Sequence, residues 1–282
     1  MSTNALMIIM LNTTGILWLV ILSAIAWADE VISIDQNLAM AGGVTPGDAP
    51  GFPITLSRPS KYRLKSNLVI DMPGKNVIEI TAPNVIIDLN NYTIGGSQGA
   101  QGAAIMGIVN VMGSAYTTVL NGTVTGMGSD GLNLSLAAHV ENVRAISNGG
   151  SGIATGNDSM IKDCTMLYNN LGIFCHSGCV LINNRVTGSS DAGISVSNGG
   201  LIKENLVNNN TYGVVDRNED IYLGGSLIID NIVYQNRNFG LILNRNSRYM
   251  KNILVGNNGG DPDSQLQGGV EISKNLRSVE DK

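Results

Sequence analysis

The feature that most constrains this chain is a period of about 21 residues. Asn121, Asn142, Asp163, Asn184, Asn205, Asn231 and Asn252 are separated by 21, 21, 21, 21, 26 and 21 residues. Eight to ten residues after each of the first six stands a glycine followed by an aliphatic residue: Gly131-Leu132, Gly152-Ile153, Gly172-Ile173, Gly193-Ile194, Gly213-Val214 and Gly240-Leu241. Segments such as Gly193-Ile-Ser-Val196 alternate, so the first and third residues after glycine share one face of a short strand. Further aliphatic runs lie just before and just after the Asn marker. Strands this short, at a fixed period and without two-residue turn signals, cannot be joined as hairpins. They can form a coil. Each unit then makes one turn of a solenoid whose strands pair in parallel with copies about 4.8 Å above and below.

Composition agrees with a coil and with one domain. Of 282 residues only 5% are aromatic and 14% charged, against 35 glycines, so stacked small aliphatics must carry burial. The Asn markers are expected to form an internal ladder, each amide donating to the next and satisfying groups otherwise buried unpaired. Glycine is expected to permit a sharp bend entering each strand. One lengthened turn and the lack of a hexapeptide pattern disfavour a left-handed solenoid, and the leucine spacing of leucine-rich repeats is missing. Strands near 78, 105, 132, 153, 173, 194, 214, 241 and 270 give about nine coils, roughly 45 Å of stacking. Residues 54–273 form the coil, 29–53 a cap at one end and 274–282 a charged tail. The net charge of -5 argues against a nucleic-acid partner, which needs clustered Lys and Arg.

The Asn-x-aliphatic and Asn-x-x-Gly-Ile spacing, with Ile54–Leu64 and Asn84–Ile94 upstream, resembles bacterial exported right-handed parallel β-helix proteins of the pectate-lyase-like superfamily. The resemblance covers about residues 50–273. It implies an all-β, single-domain right-handed parallel β-helix. Enzymes of that superfamily cut, eliminate or epimerise acidic polysaccharides with side chains from one strand face and its loops. The outward residues of the Gly-initiated strands here are Asn133, Ala154, Phe174, Ser195, Val215, Ile242 and Glu271, with one carboxylate where hydrolysis needs two. A lyase needs a cation and a strong base, and no calcium-binding Asp constellation lies on that face. Epimerases of the fold carry Asp-Pro-His-Asp; Asp261-Pro262-Asp263 lacks the His and reads as a turn.

Residues 1–28 hold no charge, and the apolar run from Ile16 ends in Ala26-Trp27-Ala28. This reads as a secretory signal cleaved before Asp29, without the usual basic start, with an uncleaved N-terminal anchor as the alternative; the mature chain is not expected to span a membrane. Cys175 and Cys179 flank one turn and could join, leaving Cys164 free. In Cys175-His176-Ser177-Gly178-Cys179 the His precedes the second Cys, unlike the haem motif, so small buried hydrophobes beside a surface His is the reading.

Candidate site residues come from one irregularity. From strand glycine to next marker the gap is 11 or 12 in most coils but 18 between Gly213 and Asn231, and the inserted loop 216–222 is the densest charged stretch. Loops lengthened on a rigid scaffold carry function. The candidate ligand-binding residues are Asp216, Arg217, Glu219, Asp220 and Tyr222, with His176 and Arg245 in comparable turns. One residue before the markers runs an outward row in which Glu141 faces Lys162, a favourable pair, and Glu204 faces Asp230. Either Lys203 and Lys251 relieve the second pair or Ca²⁺ bridges it; no other cofactor is expected. The sequence points to an exported protein, periplasmic or extracellular, presenting a polar surface to an oligo- or polysaccharide. The alternatives are a polysaccharide lyase, hydrolase or epimerase acting through the loop, and a structural or adhesive rod.

Overall fold

A computed structural model describes residues 8–11, 17–20, 31–72, 74–96, 106–111, 113–216, 224–260 and 265–278. The chain divides into two units, Met1–Glu30 and Val31–Lys282. In the first, Ile8–Leu11 pairs antiparallel with Leu17–Val20; the cleavage position expected after Ala28 lies outside the described residues. The second is the expected parallel coil.

Each turn of the coil contributes to three parallel sheets. The first has ten strands, from Ile54–Leu56 to Leu266–Gln267. Ile153, Ile173, Ile194, Val214 and Leu241 are in register there. The second and third sheets meet across a two-residue corner, such as Asn183-Asn184 between Val180–Ile182 and Arg185–Thr187. Ile161, Leu181, Ile202 and Ile228 stack in the second, and Met166, Val186, Val207 and Val233 in the third. All of these are fully buried, and each such side chain contributes about 1.5–3 kcal/mol relative to exposure. The core is therefore three aliphatic columns, as the scarcity of aromatics requires.

The ends differ from expectation. Strand pairing begins earlier, because Val31–Ile34 pairs with Lys61–Leu64 in the second sheet. It also continues later, because Leu276–Ser278 pairs with Ile253–Val255 in the third. Both cap and tail thus contain coil strands. A short helix, Gln36–Ala41, sits at the N-terminal end, with the Asp35 carboxylate accepting from the Leu38 N–H at 2.8 Å. The strands placed near 105 and 270 lie at Ile108–Asn110 and Leu266–Gln267.

The polar ladder stands in the corner between the second and third sheets, in a shifted frame. Asn184, Asn205, Asn231, Asn252 and Asn275 form it: each Nδ2 donates to the next Oδ1 at 3.0 Å. The same Oδ1 atoms accept the backbone N–H of the preceding Asn. Asn121, Asn142 and Asp163 are not members. They occupy the corner one residue earlier, at φ 55°, 55° and 54°, in a left-handed row that continues through Asn183, Glu204, Asp230 and Lys251. Short side chains that bond locally tolerate that conformation best. The reason for the shift is one coil of 20 residues, with Ile161 opposite Leu181, so a constant 21-residue spacing crosses from the outer row to the inner one.

A second ladder fills the corner between the third and first sheets. There Asn148 donates to Asn169, and Asn210, Asn236, Asn257 and Gln265 form a chain at 2.7–3.1 Å. The first ladder ends on Glu271, whose Oε1 accepts from Asn275 Nδ2 at 2.6 Å. That amide, with the Asn275 N–H and Arg277, holds the Glu271 carboxyl below the ordinary range against the opposing effect of desolvation.

Two outcomes follow. Asn205→Leu removes hydrogen bonds to Leu181 O, Lys203 O and Asn231 and leaves buried Asn groups unpaired, so a denaturant melt should show a loss of about 3 kcal/mol or more. Asn142→Gly, in the outer row, should cost under about 1 kcal/mol. Because the Glu271 pKa is depressed on folding, its contribution is present above the unfolded value and is lost as pH falls through the lower folded one. Hydrogen exchange of the Asn275 amide should accelerate relative to Asn231 between pH 7 and pH 3. Glu271→Gln should abolish that difference in pH response.

Candidate functional site

The outer face of the first sheet is built by the repeat glycines. A Cβ on Gly172 would lie 2.3 Å from Gly193 O and 2.2 Å from Val186 Cγ1, and one on Gly213 would lie 2.2 Å from Gly240 O. Neither glycine has positive φ. Glycine is thus required by the close approach of successive coils, not by a bend as expected. Since the missing Cβ points inward, the residue before each glycine points out. This gives one outward column, Ser151, Leu171, Ala192, Tyr212 and Phe239, beside a second, Ala154, Phe174, Ser195, Val215 and Ile242. Over these five coils the two columns carry no charged side chain; toward the N-terminal end the first continues to Asp130 and the second to Glu79.

The middle of the face is the singular part. Ala192 and Ser195 are fully buried, although they lie on the outer side. Among the described residues the Ser195 Oγ has no hydrogen-bond partner, and neither do Ser189 Oγ and Asn198 Oδ1 in the same coil. An orphaned buried hydroxyl costs about 1–3 kcal/mol. Beside it, Phe174 and the exposed His176 meet edge to face, ring centroids 5.0 Å apart. At the N-terminal end, Asp130 accepts from Asn133 Nδ2 at 2.7 Å and from the Ser151 N–H. Glu79 is in register with this face through Val109 and Asn133. Glu271 is not on it: the residue opposite Ile242 is Gln267, and Glu271 pairs with Tyr249 in the second sheet.

The candidate residues are partly brought together. Asp216 ends its strand in the inward column of Thr155, Cys175 and Val196. It is buried, and its Oδ2 accepts from Ser247 Oγ at 2.6 Å and from the Ser226 N–H at 3.2 Å. It anchors the corner from which the insertion departs and to which it returns; it does not face solvent as a loop residue would. Arg217, Glu219, Asp220 and Tyr222 lie outside the described residues. From Val196 to Leu201 is 5 residues and the paired stretch from Asp216 to Leu227 is 11, an insertion of six. Its return passes so close to the neighbouring turn that a Cβ on Gly225 would lie 2.1 Å from the Asn246 carbonyl carbon. Arg245 is exposed in that turn. His176 lies on the same edge two coils before Asp216, roughly 10 Å away along the stack.

The other groups sit elsewhere. Cys175 and Cys179 form a disulfide across the corner after the first sheet, and the free Cys164 is buried, which pushes its thiol up to about 12. Glu204 and Asp230 stand exposed in the left-handed row, Glu204 paired with Lys203 at 3.0 Å. Glu141 meets Lys162 at 3.1 Å, as expected. Among the described residues no group of three or more His, Cys, Asp or Glu could hold a metal, and no helix is long and apolar enough to cross a membrane. Asp261 and Asp263 lie outside the described residues. Sequence reasoning placed Phe174 on the outward face but passed over Tyr212 and Phe239; the signal was there, since both precede a repeat glycine directly.

A family model for the right-handed beta helix region matches residues 106–259, more than half of the chain. The chain belongs to that family. Solved structures with the same fold include an ORF18 protein of Geobacillus virus E2, with 9% identity over 89% of this chain and 62% of that one and a TM-score of 0.52. Another is the A-module of mannuronan C-5 epimerase AlgE4 from Azotobacter vinelandii, with 12% identity, 88% and 86% coverage and a TM-score of 0.51. The Dettilon tailspike protein gives 13% identity and a TM-score of 0.50 over 80% of this chain, which spans 50% of its length. No curated protein matches the sequence.

The disulfide generates the prediction here. It closes a sequence separation of 4, for which the chain-entropy model gives about 2 kcal/mol. Replacing both Cys175 and Cys179 by Ser should lower stability by that amount, and adding reductant to the wild type should reproduce the loss in a denaturant melt.

Proposed function

We propose that this is an exported carbohydrate-binding protein whose ligand lies on the outer face of the first sheet, beside the insertion that follows Asp216. The observation that carries the reading is Ser195: a hydroxyl held on an outer face, buried and without a partner among the described residues, next to the Phe174–His176 pair. Alanine would pack there without the cost; Ser195 is fully covered as the face stands, so a sugar hydroxyl bonds it in kind once the side chains that cover it move aside on binding. The fold neighbours add weight, one being a mannuronan epimerase module and another a tailspike. Binding without cleavage is favoured because the central coils of the face carry no paired carboxylates among the described residues. Of the candidate residues, His176 and Arg245 border the proposed ligand, Asp216 holds the insertion's base, and Arg217, Glu219, Asp220 and Tyr222 of the insertion are proposed as further contacts.

Export rests on two features: the apolar run ending at Ala28, and a disulfide, which persists in oxidising compartments. Cleavage before Asp29 accords with both. The reading requires no cofactor; Ca²⁺ is the ion that Glu204 and Asp230 would take, at a different corner of the coil.

A glycan array on the exported protein should yield a binder. On that glycan Ser195→Ala should weaken affinity about tenfold, or 1.4 kcal/mol, while stability is unchanged or slightly raised because a desolvation cost is removed. Shortening 217–223 to the turn length of the neighbouring coil should have at least the same effect on affinity with an unaltered β-sheet circular-dichroism signal. Absence of any glycan binder, or full affinity after both changes, would refute the proposal.

A further inference from the structure

The aromatic residues of this chain are few and unevenly placed. It has three Phe, eight Tyr and two Trp. The core uses Phe52, Tyr62 and Tyr249 and otherwise mostly aliphatics. Yet Phe174, Tyr212 and Phe239 all stand on the outer face of the first sheet, half-buried. Tyr212 and Phe239 are register neighbours on successive coils, about 4.8 Å apart at the backbone, since the Gly213 N–H donates to Phe239 O. Phe174 stands two coils before Tyr212 in the adjoining column, fixed edge to face by His176. Leu171 and Ile242, also half-buried, extend this surface over the outer coils of a four-coil stretch; Ala192, Ser195 and Val215 lie buried between them, and these columns carry no charge there among the described residues. Nothing in the coil demands this: the outer face of the second sheet, with the same strand geometry, pairs Arg63 with Asp88 and Glu141 with Lys162.

We infer that the glycan taken by this face is uncharged, its rings laid on the platform of Phe174, Tyr212 and Phe239. The inference rests on the reading of the face as a glycan site and narrows the ligand class. A polyuronate carries a carboxylate on every residue. Laid along these columns each carboxylate would lose water and find no cation, at a cost of several kcal/mol per ion. A neutral or N-acetylated hexose chain loses only apolar hydration where its C–H faces cover the rings, and covering apolar surface is favourable by about 25 cal/mol per Å². The chain's net charge of -5 repels a polyanion as well. Arg237 and Arg245 are exposed in the turns bordering the platform and outside its columns, so they bear on the rim alone.

Calorimetric titration of the exported protein distinguishes the cases, with cellohexaose and chitohexaose as neutral probes and hexamers of mannuronate and galacturonate as charged ones. At least one neutral hexamer should bind, neither uronate hexamer should, and affinity should stay within about twofold between low and high salt, because no ion pair is screened. Tyr212→Ala and Phe239→Ala should each weaken binding about tenfold or more, with melts confirming the fold, whereas Arg237→Gln and Arg245→Gln should leave it within about twofold. Preferential binding of a uronate hexamer, a steep salt dependence on the wild type, or loss of affinity on removing the arginines would overturn the inference and leave the glycan site standing. Failure of all four hexamers together with an empty glycan array would remove the glycan site itself.

Discussion

Every property of this protein depends on the parallel hydrogen bonding of each strand to its own copy one coil away. That bond fixes the vertical spacing, and the spacing makes each residue the neighbour of its equivalents. Environment is thereby inherited by column. An inward column must be apolar along its whole length, as Ile161, Leu181, Ile202 and Ile228 are. A buried corner whose backbone groups face inward needs a side chain that both donates and accepts along the stack, and Asn supplies both at 3.0 Å from coil to coil. Where the column holds Cys164 instead, its backbone N–H still finds Asn184 Oδ1, so the ladder begins without leaving a donor stranded.

The same bonding leaves the outer faces free. An outward residue contributes little to the stack, and exposed ion pairs such as Arg63–Asp88 are worth about 0–1 kcal/mol. Chemistry can be placed there without altering the register. The six-residue insertion shows how: strands on either side of it remain paired with the coils above and below, and Asp216, turned into the interior, bonds the Ser226 N–H on the returning segment and Ser247 in the next coil. A buried carboxylate placed there serves the corner. An energetic cost appears instead at Ser195, whose hydroxyl is buried on the outer side and unpaired among the described residues.

The sequence by itself determined the parallel coil, because the 21-residue period, the alternating strands and the shortage of aromatics admit few other ways to bury surface. It also showed that the turn after Gly213 is longer than its neighbours and that Glu141 faces Lys162. Three things were decided only in three dimensions. Which Asn enter the ladder depended on a coil of 20 residues, since adding or removing one residue exchanges an inward position for a corner position; Asn121, Asn142 and Asp163 look identical in spacing to Asn205 and lie on the other side of the backbone. The glycines were visible, but their purpose, the approach of Gly172 to Gly193 O, is a distance between coils that no local pattern contains. Asp216 read as the first residue of a charged surface loop and proved to be the last inward residue of a strand, because its side is set by pairing with Val196. The candidate site was legible only as a neighbourhood, the long turn. Phe174 and Ser195 were already placed outward on one face, but the burial of the serine and the addition of Tyr212 and Phe239 were not legible, because they depend on coils far apart in sequence being stacked.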